Sequence, residues 1–153
     1  MRVTIEVDEN LGEESVVIRC RTLDDRILRI QQAISEQTTK DLTILLHKNE
    51  NEYYMPLEEI LFFESENKNI RAHTKSDIYE TEYKLYELEE LLPGYFMRIS
   101  KSTIVNLNHI YSITKNITSS SVVGFTDCHK IVYVSRNYYK ALVERLAEKR
   151  RKL

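Results

Sequence analysis

The chain has 153 residues, 42% hydrophobic and 30% charged, with three glycines and two prolines, which fits a folded protein with one hydrophobic core and a small appended unit and excludes a disordered chain. No run approaches the roughly 20 apolar residues that span a bilayer, MRVTIEVDEN lacks a signal-peptide core, and Cys20 and Cys128 stand far apart outside any CxxC motif, so a soluble cytoplasmic protein with reduced thiols is expected. The formal charge of −2 hides a segregation: residues 1–40 carry six Lys/Arg against eight Asp/Glu, residues 41–94 five against thirteen, and residues 95–153 eleven against three. The basic last third points to a polyanionic partner or to charge pairing with the acidic middle.

In chain order, Val3, Ile5 and Val7 alternate with polar neighbours and SVVIRC follows at 15–20. Two strands flanking a turn are predicted there. From Leu23 the period lengthens: Leu23, Ile27, Ile30 and Ile34 predict an amphipathic helix over 23–36, with Thr22 and Asp25 in the spacing of an N-terminal cap. The polar SEQTTKD that follows marks a boundary between a βα extension, residues 1–40, and a main domain, residues 41–153.

The main domain opens with short strand-like segments, LTILLHK, EYYMP, EEILFFES, NIRAHT and DIYET, separated by turn residues. Leu85, Leu88 and Leu92 then predict a short helix that stops at Pro93–Gly94. Strands resume in FMRISKSTIVN, HIYSIT, SVVGFTD and KIVYV, and RNYYKALVERLAEKRRKL predicts a C-terminal helix ending in the basic run 149–152. The fold class is mainly β with an α+β character.

The sequence offers no enzyme. His47, His73, His109 and His129 lack zinc spacing, so neither metal nor cofactor is expected. Gly-rich phosphate loops, GxSxG and HExxH are absent, and the paired carboxylates Glu58–Glu59, Glu64/Glu66 and Glu87–Glu90 suit a solvated surface better than acid–base work. Phe62, Phe63, Phe96, Ile104, Val105, Ile110, Val132 and Val134 are expected in the core, and Asn106, closing a strand, is expected to bond the following turn.

Three blocks in fixed order carry a family resemblance: PLEEILFFESENKNIRAHT, LYELEELLPGYFMRISKSTIVNLNHI and IVYVSRNY. Over residues 42–147 the chain resembles the LytTR DNA-binding domain family. The resemblance implies an elongated, ten-stranded antiparallel β fold that lays loops into successive major grooves of double-stranded DNA. By position those loops are 66–69, 100–102 and 135–137. Base-contact candidates are therefore Asn67, Lys68, Asn69, Lys101 and Arg136, the last able to give guanine O6 and N7 a bidentate pair of donors. Candidates for phosphate or loop contacts are Arg98, Ser100, Ser102, Lys115, Lys130, Ser135, Asn137 and Lys140. Glu64, an acid, is expected to orient Lys68 or Arg71.

Forty leading residues cannot hold the receiver domain of many relatives, so Asp8, Asp24 and Asp25 are poor phosphoacceptors. The short form implies control by a partner, often a membrane protein, and residues 1–40 are expected to dimerise or dock. No small-molecule substrate is expected. The competing function is an interaction module whose basic third docks an acidic protein; RNA binding ranks third, for want of an exposed aromatic pair for stacking unpaired bases.

Overall fold

The computed structural model describes residues 2–10, 12, 15–39 and 42–150, and divides into two compact units, residues 1–38 and 39–153. The end of the basic run, residues 151 and 152, lies outside the described residues. In the first unit, helix α1 spans Asp25–Thr39. Its cap is Asp24 and not Thr22: the Asp24 carboxylate accepts the N–H of Ile27 at 3.0 Å, and its carbonyl accepts the N–H of Leu28. The two strands expected at the start do not form. The described parts of residues 2–20 have no ladder partner, and Val16 and Val17 are exposed. Alternation specifies a face, but a strand exists only where a neighbour takes up its backbone groups.

The second unit contains all ten expected strands. They are β1 (Thr43–Lys48), β2 (Asn51–Pro56), β3 (Phe62–Glu66), β4 (Asn69–His73), β5 (Ile78–Thr81), β6 (Phe96–Arg98), β7 (Thr103–Asn106), β8 (Ile110–Thr114), β9 (Ser121–Phe125) and β10 (Ile131–Val134). Helix α2 (Leu85–Leu91) precedes β6, and α3 (Arg136–Arg150) follows β10. The first seven strands make one antiparallel sheet in the order β2-β1-β5-β4-β3-β7-β6, and the last three a second, β10-β9-β8.

Period-two alternation divides the large sheet into two faces with separate cores. Phe63, Ala72 and Ile104 share one face by register and pack with Leu46, Leu85 and Leu88, so α2 covers this side. Phe62 and Val105 share the other and pack with Val123, Phe125, Val132, Val134, Leu142 and Leu146, which brings in the small sheet and α3. Asn106 is fully buried, as its place at a strand end predicts. Its amide donates to the Ile60 carbonyl at 2.9 Å and its side-chain oxygen accepts the N–H of Asn108.

At the seam between the sheets the His73 ring stacks on Phe62 at 4.2 Å, and Phe62 on Phe125 at 5.4 Å. Neither ring nitrogen of His73 makes a hydrogen bond. Burial, with smaller repulsion from Lys130 and Arg71, lowers its pKa to about 4. The folded state thus favours the neutral ring. This contribution is complete above about pH 6.5 and is lost as the pH falls from there through about 4. Thermal unfolding should accordingly show falling stability between about pH 7 and about pH 5, and a His73→Phe variant, which keeps the stack and cannot take up the proton, should lose less over that interval. Equal slopes for the two proteins would remove His73 as the cause.

Candidate nucleic-acid interface

The three loops singled out in the sequence meet around the β6–β7 connection. Its carbonyl at Ser102 accepts the N–H of Ser65, just before the β3–β4 turn, at 2.8 Å, and its carbonyl at Ile99 accepts the N–H of Ser135, at the start of the β10–α3 junction, at 3.0 Å. Asn69, Lys101 and Arg136 are all exposed. Backbone bonds therefore join one end of three non-consecutive hairpins and junctions into a shared polar rim.

Each loop has a local cause. Glu66 pairs with Asn69, leaving Asn67 and Lys68 as a two-residue turn with positive φ at both, 50° and 70°. This is the backbone pattern that fits the right-handed twist of a hairpin. Asn tolerates it, whereas Lys has no means of relieving the clash of its Cβ. The 100–102 loop is clamped from within: Arg98 donates from Nε to the Ser100 carbonyl at 2.7 Å and from Nη2 to the Lys101 carbonyl, and its Nη1 meets Glu89 of α2 at 3.1 Å. The Ser100 hydroxyl accepts the N–H of Ser102. At the third loop the Ser135 carbonyl accepts the N–H groups of Tyr138 and Tyr139 and so starts α3. Arg136 and Asn137 thus occupy the first positions of the helix, where the positive end of the dipole adds to the arginine charge.

The other predicted contacts fall in different places. Lys140 is exposed on α3, 4.0 Å from Glu144. Lys115 lies over the Tyr139 ring at 5.5 Å. Lys130 turns inward: its ammonium donates to the carbonyls of Thr74 at 2.7 Å and Asp77 at 3.0 Å, and burial lowers its pKa. It ties the small sheet to the β4–β5 turn. Arg98 likewise serves carbonyls, so these two cations position the fold where the sequence offered them to phosphate. Glu64 faces His73, with 3.7 Å between Oε2 and Nε2, and Arg71 pairs with Glu66 at 2.7 Å. Burial, and then the Glu66 charge, raises the Glu64 pKa.

One element escaped the sequence argument. A groove at Ser135, Arg136 and Asn137 is also lined by Ser120, which brings in the β8–β9 loop. That loop is shaped by Asn116, whose side chain accepts the N–H of Thr118, and it carries the exposed Ile117. The strand pattern around it marks only a connection, and no signal in the sequence links it to Arg136.

Two packed antiparallel sheets, with polar and cationic loops and the start of α3 joined at one rim, define a mainly β domain. Residues 50–147 match the model of the LytTr DNA-binding domain, and the chain belongs to that family. The family is one of DNA-binding domains and not of enzymes. The fold resembles that of a LytTr DNA-binding domain from Bacillus cereus with a TM-score of 0.62 and 25% identity, over 70% of this chain and 97% of that one. The chain is also 29% identical over 147 residues to proteins of Staphylococcus aureus strains NCTC 8325 / PS 47 and COL, each described as an uncharacterized HTH-type transcriptional regulator. That match covers 96% of this chain and 99% of each relative. Among the described residues the helices do not form a helix–turn–helix: β1–β5 separate α1 from α2, and β6–β10 separate α2 from α3. Nor is any of these helices long and apolar enough to cross a membrane.

The turn conformation at Lys68 yields a test. A positive φ at a non-glycine residue is tolerated where the side chain is wanted for another purpose. Lys68→Gly should raise the unfolding free energy by up to about 1 kcal/mol and weaken DNA binding, measured by denaturant melts and fluorescence anisotropy. Weaker binding without the gain in stability would mean that the turn is not strained.

Proposed function

We propose that the protein is a sequence-specific regulator of transcription, acting on double-stranded DNA in the cytoplasm, that inserts the loops of residues 66–69, 100–102 and 135–137 into successive major grooves. The observation that carries this is the pair of backbone hydrogen bonds, Ser65 to Ser102 and Ser135 to Ile99, that gathers the three loops on one rim. These bonds fix the spacing of the three loops relative to one another, so the loops act together along one side of the duplex as one reading head.

Within that head Arg136 is the base reader, its guanidinium presenting paired donors to guanine O6 and N7. Lys101, Asn67, Lys68 and Asn69 supply further donors and acceptors to base edges or the backbone. The hydroxyls and amide of Ser100, Ser102, Ser135 and Asn137, with Lys115 and Lys140, suit phosphate, and the first turn of α3 favours an anion at the same place. Arg98 and Lys130 act through other residues: the first holds the 100–102 loop and the second holds the two sheets together. Two copies, joined through residues 1–40, would present two heads to repeated half-sites along the duplex.

The decisive measurement is fluorescence anisotropy with the duplex upstream of the protein's own reading frame and a scrambled competitor, at two salt concentrations. Wild type should prefer the natural duplex and bind more weakly at higher salt, with a log–log slope of about −0.9 for each phosphate neutralised. Arg136→Ala should lose roughly 5- to 150-fold in specific affinity, the equivalent of about 1–3 kcal/mol, with unfolding changed by less than about 0.5 kcal/mol. Binding indifferent to sequence and to Arg136 would instead fit a basic surface that docks an acidic protein.

A further inference from the structure

The first unit carries an unpaired segment with the alternation of a strand. Residues 2–8, RVTIEVD, have no assigned helix or strand and no ladder partner among the described residues, while Val3, Ile5 and Val7 are 79%, 85% and 88% exposed. Three apolar side chains alternating with polar ones in one short segment, all in water, mark a surface built to be covered. Most of the first unit is shared with relatives of this chain. The 147-residue match with the Staphylococcus aureus relatives takes in 96% of the chain and therefore most of residues 1–40, whereas the Bacillus cereus domain, matched almost whole, accounts for only 70%.

What covers it is written in its order of charges. Set antiparallel to itself with Ile5 opposite Ile5, the segment places Val3 opposite Val7 on one face, and Arg2 opposite Asp8 and Thr4 opposite Glu6 on the other. Six apolar side chains from two copies then form a continuous strip, and each end is closed by a pair of opposite charge, the arrangement that stabilises cross-strand neighbours. The second strand-like segment has no such symmetry. SVVIRCR carries Arg19 and Arg21 and no acid, so pairing it with itself would gather cations without counter-charge.

We propose that residues 2–8 of two copies pair as an antiparallel ribbon about a two-fold axis at Ile5, and that this ribbon is the protein's homodimer contact. The inference deepens the homodimer part of the function proposed above and adds to it a surface and a register. A two-fold axis makes such an interface self-complementary, and pairing gives partners to the backbone groups of each segment that face the other copy.

The register is directly testable in the full chain. With Cys20 and Cys128 replaced by Ser, Ile5→Cys should form a disulfide-linked dimer under mild oxidation, because the two Cβ atoms face each other within disulfide reach. Thr4→Cys, whose partner is Glu6, should not. In light scattering, Arg2→Asp should weaken the dimer about tenfold by replacing two favourable pairs with repulsive ones, and Arg2→Asp combined with Asp8→Arg should restore it. A monomeric wild-type chain would overturn both the ribbon and the homodimer. A dimer in which Ile5→Cys links no better than Thr4→Cys, or in which the double charge swap fails to rescue, would overturn the ribbon alone.

Discussion

The arrangement of the interface depends on how the β6–β7 connection is held. β6 is an edge strand, and a loop that leaves an edge has one neighbour fewer to fix it. Here the loop is bonded outward in two directions, to β3 through Ser65 and to the β10–α3 junction through Ser135, and inward to Arg98. One of those bonds belongs to the large sheet and the other to the chain leaving the small one. The relative position of the 66–69 and 135–137 loops is therefore set through residues 99–102, a short path of covalent chain and hydrogen bonds. Groups that read a duplex must keep their spacing within a fraction of an ångström to be useful, and such a path transmits less play than side-chain packing alone.

The same economy governs the cations. The basic last third of the chain looked like a phosphate-binding surface in bulk, yet its members divide sharply. Arg98 and Lys130, both half-buried, donate to backbone carbonyls, at Ser100 and Thr74 among others. Lys101, Lys115, Arg136, Lys140 and Arg145 are exposed, with Lys115 over an aromatic ring and Arg145 donating to the Gly94 carbonyl. A buried or half-buried cation on carbonyl oxygens is satisfied by hydrogen bonds and loses little by leaving water. Positive charge in the second unit thus performs two tasks, and net charge by itself does not distinguish them.

Most of the second unit was legible because its signals are local. The strand-forming runs in STIVN and KIVYV, the turn residues at Asn67–Asn69, and the stop at Pro93–Gly94 act within a few residues, and every strand-like segment predicted for this unit holds at least one of β1 to β10. What failed to show was whatever depends on a distant partner. Val3–Ile5–Val7 has the pattern of a strand and no ladder neighbour among the described residues. Thr22 matched a capping pattern that Asp24 fulfils two residues later. The inward course of Lys130 follows from the β4–β5 turn lying against it, and Ser120 borders the Arg136 groove because the β9–β10 register, Val134 opposite Ser121, sets it beside Ser135.

Stability and recognition pull in opposite directions at two places on the rim, and the conflict identifies the residues that matter there. A glycine would suit the turn position of Lys68, with φ at 70°, better than a long side chain does. An acid would suit the first turn of α3 better than Arg136, whose charge meets the positive end of the helix dipole and which has no acidic residue beside it in that turn. Neither choice helps the isolated protein to fold. Both place a cation where the backbone already presents positive potential to the outside, Lys68 at a tight turn and Arg136 over the free N–H groups of a helix start. An approaching phosphate or guanine edge gains from cation and backbone together, and the electrostatic penalty of the unbound state is relieved on contact. Local rules broken twice, with the same sign, on one rim fit the contact with a polyanion proposed for it.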